Sequence, residues 1–330
     1  MLMKTLCRRL DPTGIVLGLI GTVVTFTLPS VVEAADEAAT PVAEQPGIEA
    51  KTDDIRVFSD QRFSGAEGKA GLCDVYLPGG QPPDPGFPAV VVIHGGGWTF
   101  GDKWSLVGYS RMLARGGFAA ITINYRLAPQ HKFPAQVDDV RDALVWTAQN
   151  AGRFSLDLNR LGLCGYSAGG HLSTLVAVLA DEPLAVRAAA SEWPTDDARW
   201  QQMPAIHAVC AGGPPCDFRS LPIDNTSVAF FLGGSRREVP EAYVAASPTA
   251  HVSPDDPPTQ LIHGETDLLV PIASTRRLHE AQKAVGVDSR FQVMPKQGHM
   301  VTFLNPTTAR KMVEFFTELF YEQDSAHASV

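Results

Sequence analysis

The serine in Gly165-Tyr166-Ser167-Ala168-Gly169-Gly170 has the setting of an activated nucleophile. A hydroxyl is weakly nucleophilic until a sharp turn presents it beside a base, and such a turn leaves room only for small residues two positions to either side. Gly165 and Gly169 stand at those positions, after the apolar run Leu161-Gly162-Leu163-Cys164 and before a helical pattern. A tight strand-to-helix connection would use the same small residues without chemistry, so the reading depends on what accompanies it. His94-Gly95-Gly96-Gly97-Trp98 follows another apolar run. Glycines let the backbone approach a ligand closely and aim N–H groups at one spot, where an oxyanion would be stabilised. Gly96 and Gly97, with Ala168 as a third donor, are the expected oxyanion hole, and Gly95 is a weaker candidate. His94 is read as a structural ring tying down the loop. Trp98 and Tyr166 are the expected substrate-facing side chains, with plain core as the alternative for Trp98.

The base and its orienting acid are expected later in the chain. Asp267 lies just past an apolar run in Ile262-His263-Gly264-Glu265-Thr266-Asp267, and His299 follows the next one in Gln297-Gly298-His299. His299 would take the Ser167 proton, and Asp267 would fix its tautomer and stabilise the imidazolium. His171 sits too near the serine along its helix, and His263 lies within or at the end of a strand, so both are read as structural. Glu265, Asp217 and Asp288 remain open as alternative acids.

Such distant residues need a scaffold that gathers them. Strand-like runs are expected at 72–77, 89–93, 119–125, 160–164, 205–210, 259–263 and 291–294. Helical patterns lie between and after them, at 106–115, 134–150, 169–179, 272–285 and 307–321. Alternation of this kind implies an α/β fold, a mostly parallel sheet with helices on both faces, whose C-terminal strand edge collects the reactive loops. Val90-Val91-Val92-Ile93 is continuously apolar, as a strand covered on both sides must be. Two segments break the rhythm, 191–204 and 219–246. Each is either a partial lid over the site or an ordinary surface insertion.

At the N-terminus, Lys4, Arg8 and Arg9 precede an apolar run at 14–28, and Val32-Glu33-Ala34 ends in small residues. This is a secretory layout, with a signal peptide expected at 1–34, no lasting membrane span after cleavage, and a secreted or periplasmic product. A flexible leader rich in Ala, Glu and Pro is expected at 35–54, a catalytic domain at 55–322, and a tail at 323–330. Removal of the signal leaves Cys73, Cys164, Cys210 and Cys216. The Ala-Gly-Gly-Pro-Pro spacer would let Cys210 and Cys216 pair, whereas Cys164 reads as a buried thiol. The formal charge of -9 argues against nucleic acid as a partner. No Cys/His cluster has zinc-ligand spacing, so neither metal nor cofactor is expected, and the oligomeric state is not readable.

His94-Gly-Gly-Gly-Trp98, Asn124-Tyr-Arg-Leu-Ala-Pro129, Phe133-Pro134-Ala135, Asp138-Asp139-Val140, the Ser167 stretch through His171, and the Asp267 stretch together resemble one family. It is the bacterial bifunctional feruloyl and acetyl xylan esterase-like branch of the α/β-hydrolases, near the hormone-sensitive-lipase-like esterases. Over about 55–320, the resemblance implies the α/β-hydrolase fold. It also implies a triad of Ser167, Asp267 and His299 and hydrolysis of carboxylic esters through an acyl-enzyme. The chain departs from the lipase-like branch in having Tyr166 before the serine and no long N-terminal cap. The expected substrate is a small-molecule or polysaccharide-linked ester with a short acyl or aryl group. An arylformamidase or amidase, and a catalytically inactive binding module, are the alternatives.

Overall fold

The computed structural model describes residues 55–322. The expected signal peptide, leader and C-terminal tail lie outside the described residues. Eight strands form one sheet in the order β1-β2-β4-β3-β5-β6-β7-β8. They are β1 (Arg56–Arg62), β2 (Leu72–Leu77), β3 (Phe87–Ile93), β4 (Ala119–Ile123), β5 (Leu156–Tyr166), β6 (Ala208–Gly212), β7 (Thr259–Gly264) and β8 (Ser289–Met294). β2 runs antiparallel to β1 and β4, and every other pairing is parallel. The sheet is thus the expected mostly parallel one. Every residue of β3 is buried, the physical reason its sequence is unbroken apolar. β1 was missed by pattern because it is an edge strand with mostly exposed side chains and no apolar run.

The helices that cover the sheet or carry site residues are α1 (Val107–Arg115), α2 (Ala135–Gln149), α3 (Ala168–Val178), α4 (Ile272–Ala284), α5 (His299–Leu304) and α6 (Pro306–Thr317). Val90 and Val92 of β3 pack in one cluster with Leu113 of α1 and Phe315 and Phe316 of α6. Val91 and Ile93 point the other way, into a cluster with Val137 and Leu144 of α2 and Leu172 and Leu175 of α3. Period-two alternation therefore gives this strand two apolar faces, each covered by helices.

Between β3 and β5 the strand order changes direction, since β4 lies on one side of β3 and β5 on the other. At such a point the loops leaving the strands part, and a crevice opens at their C-terminal ends. The His94 loop leaves β3 there and the Ser167 turn leaves β5.

One expectation is corrected. Cys73, Cys164, Cys210 and Cys216 are all buried free thiols. Cys210 packs with Cys164 in the α1/α6 cluster, whereas Cys216 joins Ala211 in another. Adjacent strand residues face opposite sides of a sheet, so the flexible spacer does not bring the two sulfurs together. The segment 191–204, left open between a partial lid and a surface insertion, is anchored on α2. Its Trp193 and Trp200 pack on Val145 of α2, and Arg199 pairs with Asp142 of the same helix at 2.8 Å.

Candidate active site

Ser167 sits at φ 55° and ψ -119° between the end of β5 and the start of α3. For a residue with a Cβ this is a strained conformation costing about 1–3 kcal/mol, and it persists only where the surroundings over-determine it. A Cβ on Gly165 would meet the carbonyl carbon and oxygen of Gly169 at 2.4 Å, and one on Gly169 would meet the Ile93 oxygen at 1.9 Å. Neither position admits a Cβ unless the backbone shifts, because helix, strand and loop touch there through their backbones. Ser167 N donates to Gly212 O at 2.7 Å, and Ser167 O accepts the first α3 bond from His171 N at 2.9 Å. Ala168 opens α3, so its amide lies at the positive end of the helix without an intrahelical acceptor.

The His94 loop folds back beside this turn. A Cβ on Gly95 would lie 2.8 Å from Tyr166 O and 3.4 Å from Ser167 Cβ. Gly96 has φ 112°, and a Cβ there would sit 2.0 Å from Phe100 O. The Gly96 carbonyl accepts from Thr99 N and Phe100 N at 3.0 and 3.1 Å, closing a turn through the half-buried Gly96 and Gly97 directly after the Gly95 contact with the serine.

The motif residues after β4 support this loop. Tyr125 OH donates to His94 O at 3.0 Å, and its ring stacks on the His94 imidazole at 4.1 Å. Asn124 Oδ1 accepts from Lys103 N at 2.7 Å, and Lys103 Nζ makes a buried ion pair with Asp74 of β2. His94 Nδ1 donates to Gly95 O at 2.7 Å, and burial drives the ring's pKa down to about 4. It is a neutral structural ring, as expected. His171 is likewise pushed down to about 4 by burial, and it accepts from Trp98 Nε1 at 3.2 Å while its Nε2 bonds Ala246 O at 2.7 Å.

His299 opens α5 and Asp267 lies in the loop after β7. The His299 Nδ1–H donates to Asp267 Oδ2 at 2.6 Å. Both side chains are buried, with 6% and 0% of their surface exposed. Asp267 Oδ1 accepts from Leu269 N and Val270 N, each at 2.9 Å, which fixes the carboxylate plane. The imidazole rests on Gly213, whose Cβ would fall 3.0 Å from His299 Cε1. Gly212 bonds Ser167 and Gly213 carries His299, so residues far apart in sequence meet across one dipeptide at the C-terminal end of β6. Of the rival acids, Asp217 pairs with Arg219 and Arg277 and Asp288 with Arg290. The Glu265 carboxylate accepts from Lys296 N at 2.8 Å.

Trp98 and Tyr166 require correction as substrate-facing residues. Trp98 is 5% exposed and stacks on Phe231 at 4.2 Å. Phe231 comes from the 219–246 segment, which therefore braces the oxyanion loop from behind. Tyr166 is 3% exposed, and its OH donates to the His299 carbonyl oxygen at 2.6 Å. Its ring contacts the His299 imidazole edge-on at 5.2 Å. Tyr166 is turned inward by its bond to the His299 carbonyl, and Trp98 by packing on Phe231 and His171. His263 Nε2, at the end of β7, lies 3.2 Å from Asp267 Oδ2, a contact that strand position alone did not reveal.

Among the described residues no group of three or more His, Cys, Asp or Glu side chains could hold a metal ion, and no helix is long and apolar enough to cross a membrane. This arrangement can polarise a carbonyl, deliver a hydroxyl to it and move one proton.

A family model described as BD-FAE matches residues 73–282. Esterase LipC of Mycobacterium tuberculosis is 32% identical over 241 residues, covering 70% of this chain and 57% of LipC. Probable carboxylic ester hydrolase LipM of the same organism is 29% identical, covering 82% of this chain and 64% of LipM. The chain therefore spans less than two thirds of the length of either relative. A solved structure described as a truncated carbohydrate esterase from gut microbiota is similar in fold, with a TM-score of 0.71 at 24% identity over 82% of this chain and 98% of that one.

Proposed function

The chain belongs to the BD-FAE family of α/β-hydrolases, and on that premise we propose that it is a serine carboxylesterase for short acyl or aryl esters. The observation that carries this reading is the strained Ser167 at the start of α3, packed against Gly95 of the glycine loop, with the Asp267–His299 pair resting on Gly213. Ser167 Oγ attacks the ester carbonyl carbon while His299 Nε2 takes the hydroxyl proton. The carbonyl oxygen gains the negative charge and faces the amides of Gly96, Gly97 and Ala168, where each donor is worth about 3 kcal/mol of transition-state stabilisation. His299 then returns its proton to the leaving alcohol, leaving an acyl-enzyme. Water repeats the sequence, releasing the carboxylic acid and restoring Ser167. Among the described residues the His299 imidazole has one side-chain hydrogen bond, to Asp267. No hydrogen bond joins it to Ser167 among the described residues, and the proposed mechanism requires one to form when substrate enters.

His94 and His171 are poor alternative bases, because burial holds both neutral and their ring nitrogens are turned to the protein. The preference for an apolar acyl or aryl group is supported by exposed apolar side chains next in sequence to the site residues. Leu268 and Leu269 follow Asp267, Met300, Val301 and Leu304 follow His299, and Phe100 ends the glycine loop. Exposed apolar rims of this kind commonly mark binding surfaces. An exported enzyme acting on decorated polysaccharide fits the N-terminal layout and the carbohydrate esterase likeness.

The test is hydrolysis of p-nitrophenyl acetate and butyrate, alongside N-formylkynurenine, by wild type and Ser167→Ala. Ester turnover that disappears in the variant supports the proposal. Equal rates in the two proteins would refute it, and preferential turnover of the formamide would replace it with the amidase reading.

A further inference from the structure

We propose that His263 is a positioning residue for the catalytic acid, its Nε2–H donating to Asp267 Oδ2 so that one carboxylate oxygen is shared by two imidazoles. This inference rests on the esterase reading above. His263 is fully buried, and its Nε2 lies 2.9 Å from Val270 O and 3.2 Å from Asp267 Oδ2. Both partners are acceptors without a hydrogen of their own, so Nε2 carries the proton. Its Nδ1 lies 2.8 Å from Thr275 Oγ1, a hydroxyl that can donate to it. The Pro214 carbonyl, which Thr275 Oγ1 also approaches at 2.9 Å, retains the Cys216 thiol as a donor at 3.4 Å. Every group in this network then has a partner with the ring neutral. Burial supports that state by lowering the basicity of His263, against the opposing pull of the Val270 carbonyl and of Asp267.

The consequence falls on the acid. Asp267 has two backbone donors on Oδ1, from Leu269 and Val270, and the His299 Nδ1–H on Oδ2. The His263 Nε2–H, bonded to Val270 O at 2.9 Å, reaches the same Oδ2 as the longer branch of a forked donor at 3.2 Å. The backbone donors hold the carboxylate plane, and the His263 N–H partly neutralises its charge without taking part in proton transfer. The titratable groups facing His263 are Asp267 from the loop after β7, His299 from α5 and, through Thr275 of α4, the Cys216 thiol. Tyr166 faces the same carboxylate charge from the end of β5.

The sign of the effect follows from His299. A general base must be unprotonated to accept the serine proton, so the esterase rate rises with pH along its acid limb. Removing the His263 donor leaves more carboxylate charge against His299 and favours the imidazolium, while the two backbone donors keep Asp267 in place. The acid limb of kcat/KM for p-nitrophenyl acetate should therefore move to higher pH by about half a unit or more in His263→Met. In His263→Gln, whose amide N–H can occupy the Nε2 position, the limb should return toward wild type. An unmoved limb in a folded Met variant would overturn the proposal, as would a Gln variant displaced as far as the Met variant. Nitrogen-15 NMR of wild-type imidazoles at alkaline pH needs no substitution and covers the case in which the variants do not fold. It should find His263 protonated on Nε2 and bare on Nδ1, and the reverse tautomer would overturn the proposal. A wild-type rate indifferent to Ser167→Ala would instead remove the esterase reading and leave the NMR result standing.

Discussion

Adding one methyl group at Gly169 tests how closely the nucleophile turn must lie against the oxyanion loop. The Cβ of Gly169→Ala would fall 1.9 Å from Ile93 O and 2.5 Å from His94 O, both backbone atoms at the end of β3. Ordinary non-bonded contact needs roughly 3.5 Å, so α3 and β3 must part by more than about 1 Å. Ser167 and Ala168 move with α3, whereas Gly96 and Gly97 move with β3. The substitution therefore separates the nucleophile from two of its three expected oxyanion donors. A misplacement of about 1 Å at reacting atoms costs on the order of 10²-fold in rate. Overpacking costs about 1–3 kcal/mol of stability, offset by about 1 kcal/mol of helix propensity on replacing glycine with alanine. The expected outcome is a roughly hundredfold loss of kcat/KM on p-nitrophenyl acetate, with a melting midpoint only a few degrees lower. Gly170→Ala is the control, since its Cβ would first meet Gly212 O at 3.0 Å, and it should retain most of the activity. A folded Gly169→Ala enzyme with wild-type kcat/KM would refute the reasoning.

Asp267→Asn should lower kcat on the order of 10⁴-fold with little change in KM, because an amide cannot enforce the Nδ1–H tautomer of His299; steady-state kinetics check it. Tyr166→Phe removes the donor to the His299 carbonyl and should lower kcat about five- to tenfold while KM holds, corresponding to about 1 kcal/mol of lost positioning. A rise in KM with kcat unchanged would return Tyr166 to the substrate. Burial lowers His94 and His171 to about 4 from an ordinary value of about 6.5. Between those values the unfolded chain binds more protons than the folded one, so stability falls as pH drops through that window, by up to about 3 kcal/mol for each ring. Urea titrations across the window should show the decline, and a flat profile would contradict it.

The sheet was largely legible because its central strands are continuous apolar runs, of which Val90-Val91-Val92-Ile93 in β3 is the clearest. The edge strand β1 was not, since its side chains are mostly exposed and it has no long apolar stretch. The residues expected to do chemistry could be read from local constraint: glycines on both sides of Ser167, and carboxylate and imidazole just past strand ends. What their neighbours do could not, because it depends on direction. Tyr166 and Trp98 sit next to reactive positions but point into the interior, and Cys210 and Cys216 are close in sequence but pack on different clusters. His263 was read as structural from its strand position, and its approach to Asp267 arises only from the turn that follows β7.

The most direct test of the central claim, that Ser167 is the hydroxyl activated by His299, is covalent labelling with a fluorophosphonate followed by peptide mass spectrometry. A single adduct on the peptide containing Ser167 is expected, forming far more slowly in His299→Ala. No adduct, an adduct on another serine, or labelling as fast without His299 as with it would contradict the claim.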